Sequence, residues 1–227
     1  AAPKGLDPQI GGLTFLPDGR LAACFHRGEV YTYEPKTKTW TLFADGLHEP
    51  LGIVAEDNHT LVIMQRPELT RLRDTDRDGT ADHYETLSDR FGMTGNYHEF
   101  AFGPARDKAG NYYVGLNLAS SGASIRPEIR GEFRHYGISR EQFYKNHRAG
   151  SGRMYSATPF RGWILKIAPD GKTTPFAPGF RSPNGVNFDS AGRLWVTDNQ
   201  GDWLGTSKLF HVKEGNFYGH PASLVWT

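Results

Sequence analysis

The sequence predicts an all-β fold, a β-propeller of four-stranded antiparallel blades, and three observations carry that expectation. A strand-turn-strand unit recurs four times: residues 12–15 and 21–24 around Pro17-Asp18-Gly19, 52–55 and 61–64 around Asp57-Asn58, 99–102 and 112–115 around 107–110, and 185–188 and 194–197 around 189–192. The first copies lie roughly 40 residues apart, the period of propeller blades. Within the strands, apolar and polar residues alternate with period two.

With 227 residues and 37% hydrophobic content, the chain can bury the core of one all-β domain spanning 1–227. About four blades are legible. Either they form a small propeller closed by its own ends, or they are the front part of a larger, incomplete one. A formal net charge of +1 gives no global pull toward nucleic acid or a membrane surface. The lone Cys24, among Leu21, Ala22 and Ala23, reads as a buried thiol, not a nucleophile. No run is long and apolar enough for a membrane-spanning helix. The first residues lack the regions of a signal peptide, and Ala1-Ala2-Pro3 fits what cleavage of one would leave.

Each blade supplies strands A to D, with A innermost, and their alternating direction fixes which loops share a face. Residues leading into A, and those between B and C, belong to an upper face; the A–B and C–D turns lie below. Blade one runs from 11 to 46, with C at 30–33 and D at 40–43, and puts Gln9, His26 and Arg27 on top. Blade two begins at His48-Glu49-Pro50, ends B at Gln65-Arg66 and has C at 69–72. Blade three opens at Asn96-Tyr97-His98 and, after an insert, resumes at 163–167. Blade four has A at 185–188, B at 194–197 and C at 208–212, followed by a turn-rich tail.

The C–D turn of blade two, 74–85, holds the most specific motif. Asp74, Asp76, Asp78, Asp82 and Glu85 occupy positions 1, 3, 5, 9 and 12 of a calcium loop, Gly79 permits the bend at position 6, and the Thr80 carbonyl can fill position 7. Alternate carboxylates converge on one hard cation, whereas a solvated acidic turn is the bland reading. Strand-like flanks and Ala81 at position 8 argue for a loop without helices. Its place on the lower face makes the calcium structural.

The insert, 118–157, leaves a top connection and is expected to be a lid or binding loop. Ser139 to Asn146 has a serine cap and an early acid, so a short helix is expected there. Arg126, Arg130, Arg134, Arg140, Lys145, Arg148 and Arg153 outnumber Glu128, Glu132 and Glu141, which favours a small polar, anionic ligand beneath it over a merely solvated basic loop.

His48, His98, Arg181, Asn184, Gln65, Arg66, Asn117, Asp198, Asn199 and Gln200 all fall at the start of A strands or the end of B strands, and so are expected to ring one mouth. His98 directly precedes an inner strand and is the candidate base for a bound hydroxyl, with Arg181 and Gln200 beside it.

The segments Arg181-Ser182-Pro183-Asn184-Gly185, Asn199-Gln200-Gly201-Asp202 and Glu214-Gly215-Asn216-Phe217-Tyr218-Gly219-His220-Pro221 resemble, in this order, the soluble quinoprotein sugar dehydrogenases. The acidic loop after Gln65-Arg66-Pro67-Glu68-Leu69 is similar to dehydrogenase-like propellers of planctomycete-type bacteria. The resemblance implies a six-bladed propeller holding pyrroloquinoline quinone (PQQ) and calcium, acting on a carbohydrate or polyol hydroxyl and passing electrons to an acceptor such as a cytochrome, in a periplasmic or secreted setting. It implies that His98 is the base, that Arg181 contacts the quinone, that Gln200 lies at the substrate and cofactor site with Asn184 and Asn199 nearby, and that the carbonyls of Gly201 and Asp202 hold the active-site calcium. Basic residues that the family draws from its last two blades have no counterpart here.

Two other classes compete. Ser182-Pro183-Asn184-Gly185 is also similar to the metal-binding segment of gluconolactonase-type propellers, where a divalent ion would polarise an ester carbonyl; that family needs a glutamate before the first inner strand, and Asp7-Pro8-Gln9 offers none. The third is a non-catalytic, calcium-stapled propeller binding a glycan or a partner.

Overall fold

A computed structural model describes residues 2–120, 130–146, 153–202 and 204–227. The chain divides into two compact units, Ala1–Asp89 and Arg90–Thr227. In the first, β1 (Ile10–Phe15), β2 (Leu21–Phe25), β3 (Val30–Glu34) and β4 (Thr39–Ala44) form one antiparallel sheet in sequence order, and β5 (Ile53–Ala55), β6 (Thr60–Met64), β7 (Leu69–Arg73) and β8 (His83–Ser88) form another. These are the four-stranded meanders expected of propeller blades.

Local chemistry closes the first hairpin. Gly19 takes φ +92°, a conformation open to residues without a Cβ, while the Asp18 carboxylate accepts from the Arg20 backbone and Nε at 3.0 and 2.9 Å. Ala22, Cys24, Val30, Phe43, Ile53, Leu61, Ile63 and Leu72 build the core of this unit. Its inner strands approach so closely that a Cβ on Gly11 would collide with the Pro50 carbonyl oxygen. Cys24 is buried as expected, and desolvation pushes its thiol up to about 12.

In the second unit, β9 (Ala101–Arg106), β10 (Tyr112–Leu116), β13 (Trp163–Ile167) and β14 (Thr173–Pro178) form a four-stranded antiparallel sheet. The next holds three strands, β15 (Pro183–Phe188), β16 (Leu194–Asp198) and β17 (Lys208–Val212). Ala105, Tyr113, Ile164, Phe180, Val196 and Val212 pack between them. All five residues of β10 are buried, whereas β16 alternates. A strand buried on both faces reads as a continuous apolar run, and one with an open face reads as period two.

The expected innermost strand at 99–102 begins later, at Ala101. Glu99 turns back so that its carboxylate accepts from the Thr94 amide and hydroxyl, and Asn96 Oδ1 accepts from the His98 amide at 3.0 Å. His98 therefore sits in a turn.

Within the insert, β11 (Ala119–Ser120) pairs with β12 (Met154–Tyr155), and α1 (Arg140–Asn146) forms where the serine cap predicts it. The Gln142 amide donates to Ser139 Oγ and the Ser139 amide to Gln142 Oε1, a reciprocal cap. Phe143, Tyr155, Ala119 and Ala157 bury together with Phe133 against them. Arg126, Glu128 and Arg148 lie outside the described residues. After β17 a 3₁₀ helix, Pro221–Trp226, docks on this region: Trp226 Nε1 donates to Ser156 Oγ at 2.8 Å, and the Tyr136 hydroxyl to the Pro221 carbonyl at 2.9 Å.

Candidate functional site

In the second unit, the segments leading into β9 and β15 bring His98 and Arg181 together. His98 is half-buried, and its Nδ1 is buried with no hydrogen-bond partner. Desolvation, and then the Arg181 guanidinium, hold it below its ordinary value of 6.5, so the ring is neutral near pH 7. Tyr97 covers it, with ring centroids 4.0 Å apart.

Arg181 is fixed from behind. Its amide and that of Ser182 donate to the Asp198 carboxylate at 3.2 and 2.7 Å, and Lys208 Nζ lies 3.5 Å from the same group. Its Nε is buried without a hydrogen bond; Asp202 Oδ1 stands 4.0 Å away, a charge contact beyond hydrogen-bond reach. Asn117, 4% exposed at the end of β10, also leaves its Oδ1 unpaired. Buried polar atoms without partners are uncommon in folded chains. Three of them, on His98, Arg181 and Asn117, fit a polar ligand.

The other residues from the same loops distribute differently. Gln200 and Asn184 are exposed. Asn199 Oδ1 accepts from the Gln200 amide at 2.9 Å, and Asn184, Thr197, Asp198, Asn199 and Ser207 line a cavity of about 150 Å³. The Gly201 amide is tied to the Leu204 carbonyl at 2.9 Å. Asp202 turns its side chain inward to Met154 and His220. His48, Gln65 and Arg66 belong to the first unit, where the His48 amide donates to Gln65 Oε1 at 2.7 Å and Arg66 pairs with Glu49.

Sequence reasoning missed His220 and Lys208. Their signal was weak: one histidine in a turn and one lysine on a strand are ordinary, and each acquires meaning through the buried acid it meets, Asp202 or Asp198.

The acidic loop of the first unit gathers three of its six expected ligands. Carboxylate oxygens of Asp74, Asp76 and Asp78 all lie within 4.8 Å of one another. Gly79 takes φ +97° and donates its amide to Asp74 Oδ2 at 3.2 Å. Asp74 is 5% exposed, and its Oδ1 is buried with no partner. Three carboxylates this close repel strongly unless a cation lies among them. The residues therefore fit a hard cation with oxygen ligands. Thr80 is exposed beside them. Asp82 instead accepts from the Thr75 amide and hydroxyl, and Glu85 pairs with Arg73 at 2.6 Å and Arg71 at 3.2 Å. Ala81, at position 8 of the loop, is buried in the core and donates its amide to the Phe43 carbonyl.

Meandering four-stranded blades, with polar side chains gathered where inner strands begin, define a β-propeller. The chain belongs to the family described as a domain of unknown function, DUF7133, whose model matches residues 35–173. No curated protein sequence matches it. Among solved structures it is similar to an oxidoreductase described as a glucose dehydrogenase from Thermus thermophilus, with a TM-score of 0.65 and 18% identity over 96% of this chain and 65% of that one. It is also similar to the PQQ-bound aldose sugar dehydrogenase of Streptomyces coelicolor, with a TM-score of 0.61 and 18% identity over 96% of this chain and 63% of that one. A third is the PQQ domain of a pyranose dehydrogenase from Coprinopsis cinerea, with a TM-score of 0.59 and 13% identity over 91% of this chain and 48% of that one. At such identity the likeness establishes the fold. The chain spans less than two thirds of the length of each of these structures.

Proposed function

We propose that this chain forms part of a PQQ-dependent dehydrogenase that oxidises a carbohydrate or polyol hydroxyl, with His98 as the general base. The observation that carries the reading is the neutral imidazole of His98, its Nδ1 without a hydrogen bond, beside the guanidinium of Arg181, whose Nε also makes none, in a fold whose solved neighbours include PQQ-bound sugar dehydrogenases. Bound quinone would supply the two-electron acceptor for hydride. Arg181 through its guanidinium and Asn117 through its unpaired oxygen would hold it, and the carbonyls of Gly201 and Asp202 would hold the accompanying calcium. Neutral His98 can take the hydroxyl proton as the C–H bond is cleaved. The fixed positive charge of Arg181 favours negative charge developing nearby, and burial makes that interaction stronger than it would be in water. Asn184, Asn199 and Gln200 would form the outer rim toward the sugar. The insert 118–157 would wall the site, since Met154 already reaches Asp202. We assign the Asp74, Asp76 and Asp78 cluster to a separate structural calcium ion.

Titration with PQQ and calcium, followed by assay of sugars with an artificial electron acceptor, tests the reading. His98→Gln is expected to lower turnover by about 10²- to 10⁴-fold, the usual range for losing a general base, while leaving the melting temperature within a degree or two. Unchanged turnover would remove His98 from the mechanism.

A further inference from the structure

Asp202 lies in the loop after β16, and its side chain is only 10% exposed. Three groups from three separate segments reach it. The Met154 amide, on β12, donates to Oδ2 at 3.0 Å. His220 Nε2, from the residue that caps the 3₁₀ helix, is 3.4 Å from the same oxygen. Arg181 Nε, from the segment leading into β15, is 4.0 Å from Oδ1.

The proton on His220 can be placed. The Ala222 amide donates to its Nδ1 at 3.3 Å, so Nδ1 must be an acceptor and the ring proton of the neutral imidazole sits on Nε2, facing the Asp202 carboxylate. His220 also lines, with Gly201, Lys208 and Tyr218, a cavity of about 360 Å³. Asp202 thus contacts both Arg181 and a residue that lines a second open volume.

A buried carboxylate needs donors or cations on both oxygens. The Met154 amide satisfies only one position. Oδ1 has the guanidinium as its charged neighbour at 4.0 Å, and Oδ2, which accepts from the backbone amide, has the imidazole Nε2 3.4 Å away without a hydrogen bond. We infer that Asp202 is a positioning residue: its carboxylate sets the direction of the Arg181 guanidinium and holds the Nε2 edge of His220 by charge, tying both to the returning arm of the insert at Met154. Its link to catalysis rests on the dehydrogenase reading; the contact itself does not. A plain structural role, in which the side chain only caps the Met154 amide, would need an acceptor but no charge.

Substituting Asp202→Asn separates the two, because the amide oxygen can still accept from Met154 while the charge is gone. In the ¹⁵N-labelled chain, hydrogen exchange at Arg181 Nε–H is expected to quicken at least tenfold in Asp202→Asn, and the His220 Nε2 ring signal to shift as the facing charge is lost. Asp202→Glu should restore much of the protection. Wild-type exchange and wild-type ring signals in Asp202→Asn would overturn the proposal. Where Asp202→Asn does not fold, Asp202→Ser keeps an acceptor for the Met154 amide in a smaller uncharged side chain, and Arg181 Nε–H exchange must then quicken; wild-type exchange there would also overturn it. A wild-type chain that binds no quinone would sink the dehydrogenase reading and leave the Asp202 result standing, since neither signal requires a loaded site.

Discussion

Burial, reinforced by the Arg181 guanidinium, biases His98 toward its neutral form, and the sign of the pH effect follows. The folded-state value lies below the ordinary 6.5, so the unfolded chain binds this proton more readily. As pH falls below 6.5 toward the folded value, folding is progressively penalised by this group; above 6.5 the penalty vanishes. For the proposed base, the neutral fraction stays high at neutral pH, and the acid limb of the rate profile should fall below 6.5. Arg181→Gln removes the lesser cause and keeps the greater. The His98 titration, followed by its ring proton signals, should therefore move up in Arg181→Gln yet stay under 6.5; no movement would mean that the guanidinium does not act on this ring. The sequence made His98 and Arg181 legible because each lies within a few residues of the start of an inner strand, although β9 begins only at Ala101. It offered Asp202 as a backbone ligand only, because the carboxylate's partners come from segments near residues 154, 181 and 220, which no local spacing relates.

At the scale of elements, strand register explains why the acidic loop keeps some of its expected ligands and gives others away. The alternation of Asp74, Asp76 and Asp78 before Gly79 was readable as a cation loop, and the local turn brings those three together. Glu85 at position 12 goes elsewhere because β8 already begins at His83, which places Glu85 directly across from Arg71 in the β7–β8 ladder. Opposite charges facing each other across strands attract, and Arg71, 7% exposed, needs such partners. A four-stranded blade therefore competes with a helix-flanked loop for the same residue. Calcium at a hundredfold excess over its dissociation constant should stabilise the wild type by about 2.7 kcal/mol by mass action. The melting temperature should climb with calcium in wild type and stay flat in Asp76→Ala; a flat response in both would remove the site. The strand positions were more legible than this loop, since turn residues such as Pro17-Asp18-Gly19 act locally. The start of β9 was not, because it depends on where the Glu99 side chain bonds.

Considered over the whole molecule, each unit leaves exposed apolar side chains that a water-facing sheet would not select. On β1 of the first unit, Leu13 and Phe15 share one side of the strand and are 54% and 73% exposed; on β17 of the second, Leu209 is 63% exposed. Their alternation with more sheltered residues identified the strands in the sequence, yet alternation cannot say whether the apolar side meets protein or water. Singly, exposed apolar residues are ordinary; Leu13 and Phe15 form a contiguous pair on one sheet face, and such patches drive association. We read these faces as surfaces for protein contact. The chain should associate with itself as concentration rises, seen as an increase in mass by light scattering. Leu13→Ser, Phe15→Ser and Leu209→Ser combined should suppress that rise. All three side chains are more than half exposed, so each substitution should change stability by no more than about 0.5 kcal/mol. Association that persists in the triple variant would show that other surfaces carry it, whereas a large fall in melting temperature would show that these side chains are buried in solution.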